Sequence, residues 1–462
     1  MLDTLRSAMD RFSDSDVDFA DIRHEVRQGT DMLIVNGVLR RFNKSGRSGT
    51  VARALVGECW GQASTTDEVT AENMVEILSQ AARMAKASAR YSRKSITLPE
   101  RQAVEGEYLQ SIKEDPLEVS SEDKLEAVRQ LDKAQGIDDR VVNTNSLYRD
   151  GKREFYLANS MGSSIYWNEI RTYLIAQAVA KEGTRTQFDY DSKGGTAGFE
   201  MIRDIDIQEM GASVGKGAVE LLSASKPPSG ETTVVVDGNV AGLIAHEVCG
   251  HASEADEVVK ERSFLTGMVG KRVAAEHVTM VDDGTLEGLA GSYPFDSEGT
   301  SSSRSEIINE GVYNGYLHTL ETAALMDVKP TGNGRAQDYN RRIFARMSNT
   351  FFESGDWSKD EIISDTKEGL YVIRASSGME DVVGGGVQAS ALKGYIIRNG
   401  ELTDLVRSMT LTGQVLEILK TVDAVGDELE FSPGTCGKGE EDFIPVTSGG
   451  PHMRAKIVVG GG

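Results

Sequence analysis

The stretch from Thr232 to His251 leaves a chain few ways to fold. The β-branched run Thr232-Thr233-Val234-Val235-Val236 has strand composition, and Asp237-Gly238 breaks it. Val240, Leu243 and Ile244 then recur at helical spacing, so the segment reads as strand, tight turn and helix. Asn239 is the expected helix cap. The helix ends in His246-Glu247-Val248-Cys249-Gly250-His251, placing two of the chain's six histidines beside a glutamate.

This pattern points to a metal site with an unusual spacing. Zinc proteases commonly carry His-Glu-x-x-His, whose histidines lie four apart and share one helix face. Here they lie five apart. At about 100° per residue the imidazoles of a regular helix would diverge by roughly 140°, too far to meet one ion at about 2.0 Å per nitrogen. Gly250 is where a π-bulge or helix end is expected, swinging His251 back toward His246. Glu247 would then serve as general base, taking a proton from water as it attacks a carbonyl. Other readings of these residues stay open: helix histidines are commonly surface or packed residues. Cys249, three residues from His246, could share its face without a bulge, or could be a small buried side chain.

Length and composition set the bounds. The 462 residues suffice for two domains, and 39% hydrophobic content suits a water-soluble globular chain. No apolar run reaches the ~18 residues of a membrane span. The N-terminus opens an amphipathic pattern (Leu2, Leu5, Met9, Phe12), not a signal peptide, so a cytoplasmic protein is expected. Cys59, Cys249 and Cys436 are too few and scattered for a disulfide framework. A net charge of -22 with no basic stripe argues against direct nucleic-acid binding.

Residues 17–65 read as strands and turns, with Asn36-Gly37 as a hairpin signal. Thr70 is the expected cap of a helix with Met74, Ile77, Leu78, Ala81 and Met84 on its apolar face, and Ser120 precedes another helix carrying Leu125, Val128 and Leu131. Residues 138–182 read as an antiparallel meander with turns at Asp150-Gly151 and Ser160-Met161-Gly162. Glu200 to Ala224 reads as helix. Ser223-Ala224-Ser225-Lys226-Pro227-Pro228-Ser229-Gly230 is the clearest linker and the expected domain boundary. Beyond it, Asp283-Gly284, Asn314-Gly315 and Asn399-Gly400 are hairpin signals, with one helix near Gln414 to Thr421. Gly384-Gly385-Gly386 lacks the ending of a phosphate loop and reads as a turn or bulge; were it to line a cleft, an extended peptide could pair with its backbone. Cys436, between Gly434 and Gly437, reads as a residue of a flexible loop. It could be a third metal donor, a nucleophile partnered by His318 or His452, or an inert turn cysteine. His452 is the candidate to support a metal ligand.

Several of these segments also carry a resemblance. His246 to Asp256 is similar to the HExxxHxxExD motif of the TldD/PmbA family of metalloproteases, once described as modulators of DNA gyrase. Phe295-Asp296-Ser297-Glu298-Gly299-Thr300 and Ile308-Asn309-Glu310-Gly311-Val312-Tyr313-Asn314-Gly315-Tyr316-Leu317 resemble its next block. Arg346-Met347-Ser348-Asn349-Thr350 resembles R-M-x-N-T, and Gly434-Thr435-Cys436-Gly437-Lys438 resembles G-x-C-G-K. The resemblance spans essentially the whole chain. It implies an α+β fold of two domains, here 1–225 (N-terminal sheet and helices) and 231–462 (β-rich, carrying the metal helix). It further implies a Zn2+ ion held by His246, His251 and Cys436, and Glu247 as the catalytic base of a metallopeptidase acting on unfolded or unstructured peptides. The working form implied is a homodimer or a heterodimer with a PmbA/TldE-like subunit, enclosing the active site in a cavity. The alternative is a non-catalytic peptide-binding subunit; a zinc amidohydrolase of small amides is a further enzymatic one.

Overall fold

The computed structural model describes residues 1–92 and 95–461, apart from the side chains of Val248 and Asp442. The first half is built on a seven-stranded sheet whose centre is four long strands, Phe19–Val35, Val38–Val56, Val141–Asn159 and Ser164–Glu182. Asn36 and Gly37, with φ of 50° and 75°, make the left-handed two-residue turn between the first pair.

Side chains alternate faces along a strand, and the two faces of this sheet differ in chemistry. The even-numbered face carries Ala20, Ile22, Met32, Ile34, Tyr148, Leu174 and Ala176, all buried. Leu2–Arg11 and Ala71–Ala89 cover one end of it, and Ser121–Gln135 and Ile207–Ser223 cover the other. The odd-numbered face carries Arg23, Glu25, Arg53, Glu169 and Arg171, which are buried as well.

That charged face meets the second half of the chain. Arg53 pairs with Asp21 and donates to Glu298 Oε1 at 3.0 Å. Arg171 donates to the carbonyls of Ala290 and Ser292, each at 2.7 Å. Arg101 reaches Thr300 Oγ1 and the Glu298 carbonyl at 2.8 and 2.9 Å. Phe155 and Trp167 close the contact against Phe295.

The second half holds two larger sheets. In one, Gly230–Val236, Glu368–Glu380, Gly386–Arg398, Glu401–Gln414 and Met453–Gly461 pair in sequence around a closed ring, because Glu401–Gln414 also pairs with Met453–Gly461. The other is six-stranded and runs from Val312–Tyr313 through Arg304–Asn309, Met280–Asp283, Asn349–Phe352 and Glu441–Gly450 to its edge strand Glu430–Lys438. The helix that follows Gly230–Val236 packs in the core shared by both sheets.

Several expectations change. Met84 is exposed and Ala85 takes its place, since Met84 falls at the margin of the stripe through Met74, Ile77, Leu78 and Ala81. Asp150-Gly151 is no turn: it lies mid-strand, Gly151 opposite Gly29, with Asp150 accepting from Thr30 N–H and buried Lys124. The helix expected over Glu200 to Ala224 is two, Glu200–Asp204 and Ile207–Ser223, the second capped by Asp206. Asp283-Gly284 opens a long excursion instead of a hairpin. The turn expected at Asn314-Gly315 falls at Glu310-Gly311, both with positive φ. Gly384 to Gly386 do form the turn that returns Glu368–Glu380 into Gly386–Arg398.

Replacing Arg53 by Met would leave Asp21 and Glu298 as buried carboxylates without their cation. The expected cost is about 3–5 kcal/mol, read as a lowered midpoint of chemical denaturation. An unchanged midpoint would show that the contact between the two halves does not depend on this pair.

Candidate metal centre

The geometry starts at the helix cap. Asp237, not Asn239, caps Gly238–Ile244 by accepting from Val240 N–H at 2.8 Å. Asn239 instead ties the helix to its neighbours, accepting from Ala375 N–H and donating to Ser432 Oγ, each at 2.7 Å. A Cβ on Gly242 would lie 2.4 Å from Gly449 N, so the helix backbone sits directly on strand Glu441–Gly450.

Past Ile244 the helix widens into a π turn, Ala245–Gly250, followed by a single 3-10 turn, His251–Ser253. His251 N–H bonds the His246 carbonyl, five residues back, so residues at this spacing come onto one face. The two rings lie 5.1 Å apart at 83°. Gly250 leaves room for its neighbour here: a Cβ would stand 2.1 Å from Met347 Sδ.

Cys436 arrives from the other side. It is not in a flexible loop but within strand Glu430–Lys438, opposite Ile444, with a bulge between it and Lys438. Gly434 pairs with Val446 in the ladder to Glu441–Gly450, while Gly437 falls at the bulge, which re-aims the side chains beyond it. Its Sγ is 3.2 Å from His251 Nε2. One donor atom each from His246, His251 and Cys436, all buried, lies within 4.8 Å of the other two.

The charges are arranged to favour a thiolate. Burial opposes ionisation of Cys436, but His246 and His251 outweigh it and hold the thiol well below its ordinary value. Burial disfavours protonated His251; Glu254 and Cys436 reverse this and raise it well above the ordinary range. His251 Nδ1 faces Glu254 Oε2 at 3.2 Å, which leaves Nε2 toward the sulfur. His246 Nδ1 is buried with no hydrogen-bond partner among the described residues. A thiolate, two imidazoles and an orphaned ring nitrogen together suit a zinc ion. Cys249 does not join them. It lies in the apolar core, and burial pushes its thiol up to about 12.

Glu247 is half-buried beside this cluster, against Gly378, where a Cβ would lie 2.3 Å from its Cγ. Burial raises its carboxyl to about 7, against the pull of His246, and a shared hydrogen bond with Glu380 adds to the rise. Glu380 lies in a second donor group with Glu247 and His251, and nothing in the sequence pointed to it. A cavity of about 390 Å3 lined by His251, Glu254, Glu380, Val382 and Lys438 opens beside these residues. His452 bonds Tyr371 at 3.0 Å, and the ring of His318 faces Thr322, so neither partners Cys436.

The chain matches three family models in order: PmbA/TldA metallopeptidase domain 1 over residues 20–85, the central domain over 114–224, and the C-terminal domain over 229–461. A metalloprotease of Methanocaldococcus jannaschii is 37% identical over 445 residues, covering 96% of this chain and 97% of that one. The chain belongs to the TldD/PmbA metallopeptidase family. A metalloprotease TldD homolog of Haemophilus influenzae is 30% identical, over 99% of this chain and 96% of that one. Among solved structures, TldE of Thermococcus kodakarensis has the same fold, with a TM-score of 0.76 at 19% identity over 99% of this chain and 98% of that one. A Thermotoga maritima protein described as a proposed modulator of a DNA gyrase matches at 0.79 and 20%, over 96% of each chain. The TldD/PmbA blocks of the sequence supply Glu254, Asp256, Arg346 and Lys438 around the donors; none of these four carried a role before their positions were known.

Gly250→Ala should force Met347 aside or displace His251, costing about 1–3 kcal/mol as overpacking does. The double variant Gly250→Ala, Met347→Ala should lose less stability in a thermal melt than the sum of the two single variants. Additive losses would show that the two residues do not press on each other.

Proposed function

We propose that this chain is a zinc metallopeptidase hydrolysing unfolded or unstructured peptides, with His246, His251 and Cys436 holding the ion and Glu247 as general base. The observation that carries this reading is the convergence of three buried donors from distant parts of the sequence beside one carboxylate. Zinc, when bound, supplies Lewis-acid polarisation of the scissile carbonyl and acidifies water. Glu247 takes the proton of the attacking water and returns it to the leaving amine, and a carboxyl tuned close to neutral pH suits both steps. Strand Glu430–Lys438 is a sheet edge, so an extended peptide pairing with it would lie beside Cys436 and be held by its backbone, without regard to side chains.

The 3.2 Å contact of Cys436 with His251 also fits a thiolate nucleophile and its base. Burial of the sulfur and the second imidazole favour the ligand role. We further take residues 1–225 and 231–462 as two domains, a dimer with a second copy or a PmbA/TldE-like chain as the working form, and the cytoplasm as its location. No helix among the described residues is long and apolar enough to cross a membrane.

Protein purified without chelator should hold about one zinc per chain. Glu247→Gln should keep the zinc and lose peptide cleavage by about 10²–10⁴-fold, whereas a peptide-binding subunit would be unaffected. Cys436→Ala should lose zinc and Cys249→Ala should retain it; the reverse result would reassign the sulfur ligand. Cleavage that survives complete zinc removal but stops on thiol alkylation would establish the nucleophile reading instead.

A further inference from the structure

The three donors belong to two separate elements, and the side chain of Lys438 bridges them. His251 lies on the turn that closes the helix, with Glu254 and Asp256 just beyond it; Cys436 and Lys438 lie two apart on the edge strand. We propose that Lys438 is a positioning residue of the metal centre, clamping the Cys436 strand to the His251 turn through Glu254 and Asp256. This inference rests on the zinc reading above.

Lys438 Nζ lies 2.8 Å from Glu254 Oε2, 2.6 Å from Asp256 Oδ1 and 3.2 Å from the Ala345 carbonyl. Three acceptors match the three donors of an ammonium, so its position is fixed by geometry as well as charge. Glu254 Oε2 is also the atom that faces His251 Nδ1 at 3.2 Å, so one carboxylate oxygen connects the ammonium to the imidazole. The other oxygen, Oε1, has no hydrogen bond among the described residues, its nearest cation being Arg346 Nε at 3.8 Å. Lys438 is therefore the nearest lysine or arginine cation of a carboxylate only 1% exposed, among the described residues.

An ordinary surface ion pair would not have this effect. Moving Nζ moves Glu254, which turns the His251 ring, and the same movement displaces the strand on which Cys436 sits two residues away. The separation of Nε2 and Sγ is thus set by the clamp before any ion arrives. Carboxylates that orient metal-binding histidines act in this manner, and their loss costs about 10–100-fold in metal affinity.

The test compares wild type, Lys438→Met and Lys438→Arg for zinc affinity, by competition with a chromophoric chelator, and for the thiolate-to-metal absorption of the cobalt-substituted protein. Lys438→Met should weaken zinc by about 10–100-fold and alter the cobalt spectrum, and Lys438→Arg should restore most of both. A purely structural ion pair would lower the melting temperature alone. Should Lys438→Met fail to fold, Asp256→Ala, which removes one arm of the clamp, should give a smaller loss of affinity with the same spectral change. Folded variants with unchanged affinity and spectrum would overturn the proposal. Wild-type protein that binds neither ion would overturn the zinc reading and this proposal together.

Discussion

One residue too many in a helix turn governs this structure. With histidines five apart, the two imidazoles can face a common point only if the helix widens, and Ala245–Gly250 does so. A π turn persists where its surroundings hold it. Here the helix is held at both ends: Asp237 and Asn239 fix the start, Gly242 lies against the backbone of Gly449, and Gly250 lies against Met347. Neither glycine admits a side chain without displacing what it touches. Tolerance of the distortion therefore resides in the neighbouring strands as much as in the helix itself.

The dispersed sequence blocks gain a common meaning from the same turn. Leu317 N–H bonds the Ser253 carbonyl at 2.8 Å and Tyr313 donates its hydroxyl to Ser253 Oγ, so the block from Ile308 to Leu317 buttresses the segment after His251. Arg346, fully buried, donates to the Cys436 carbonyl at 2.8 Å and pairs with Glu441 at 3.1 Å, while the adjacent Met347 meets Gly250. Lys438 closes the set. The block from Phe295 to Thr300 serves elsewhere: Glu298 accepts from Arg53 across the contact between the two halves of the chain and from Leu320 N–H, while Asp296 accepts from Gly334 N–H within the second half.

What could be read from sequence was local chemistry. Asn36-Gly37, the Thr70 and Ser120 caps, and the need for distortion at Gly250 each follow from what one or two residues can do to their own backbone. What could not be read depended on remote partners. Arg23, Glu25, Arg27 and Arg53 alternate with apolar residues as a solvent-facing strand would, yet Arg23 and Arg53 are buried against loops two hundred residues away and more, and Glu25 is buried beside Arg153 of a neighbouring strand. Asp150-Gly151 has turn composition, but Lys124 gives the carboxylate a buried partner and Gly29 gives the glycine an opposite number. Glycines around Cys436 suggested a loop for the same reason: only the pairing with Glu441–Gly450 reveals a strand. Glu380 had no local mark at all, because its significance lies in meeting Glu247.

Electrostatics links these donors to the ion proposed for them. Two imidazoles favour the Cys436 thiolate, and that thiolate with Glu254 in turn favours protonated His251. Zinc needs the thiolate as it stands but needs both histidines neutral. Binding on this reading exchanges a proton on His251 for a divalent ion, within a shell where Glu254 remains to compensate the added charge. Because Glu254 and Cys436 raise His251, acidification favours that proton over the metal. The features that prepare a buried thiolate for the ion thus also make protons its competitor, and the balance between them is set by Glu254 and the ammonium of Lys438 that holds it.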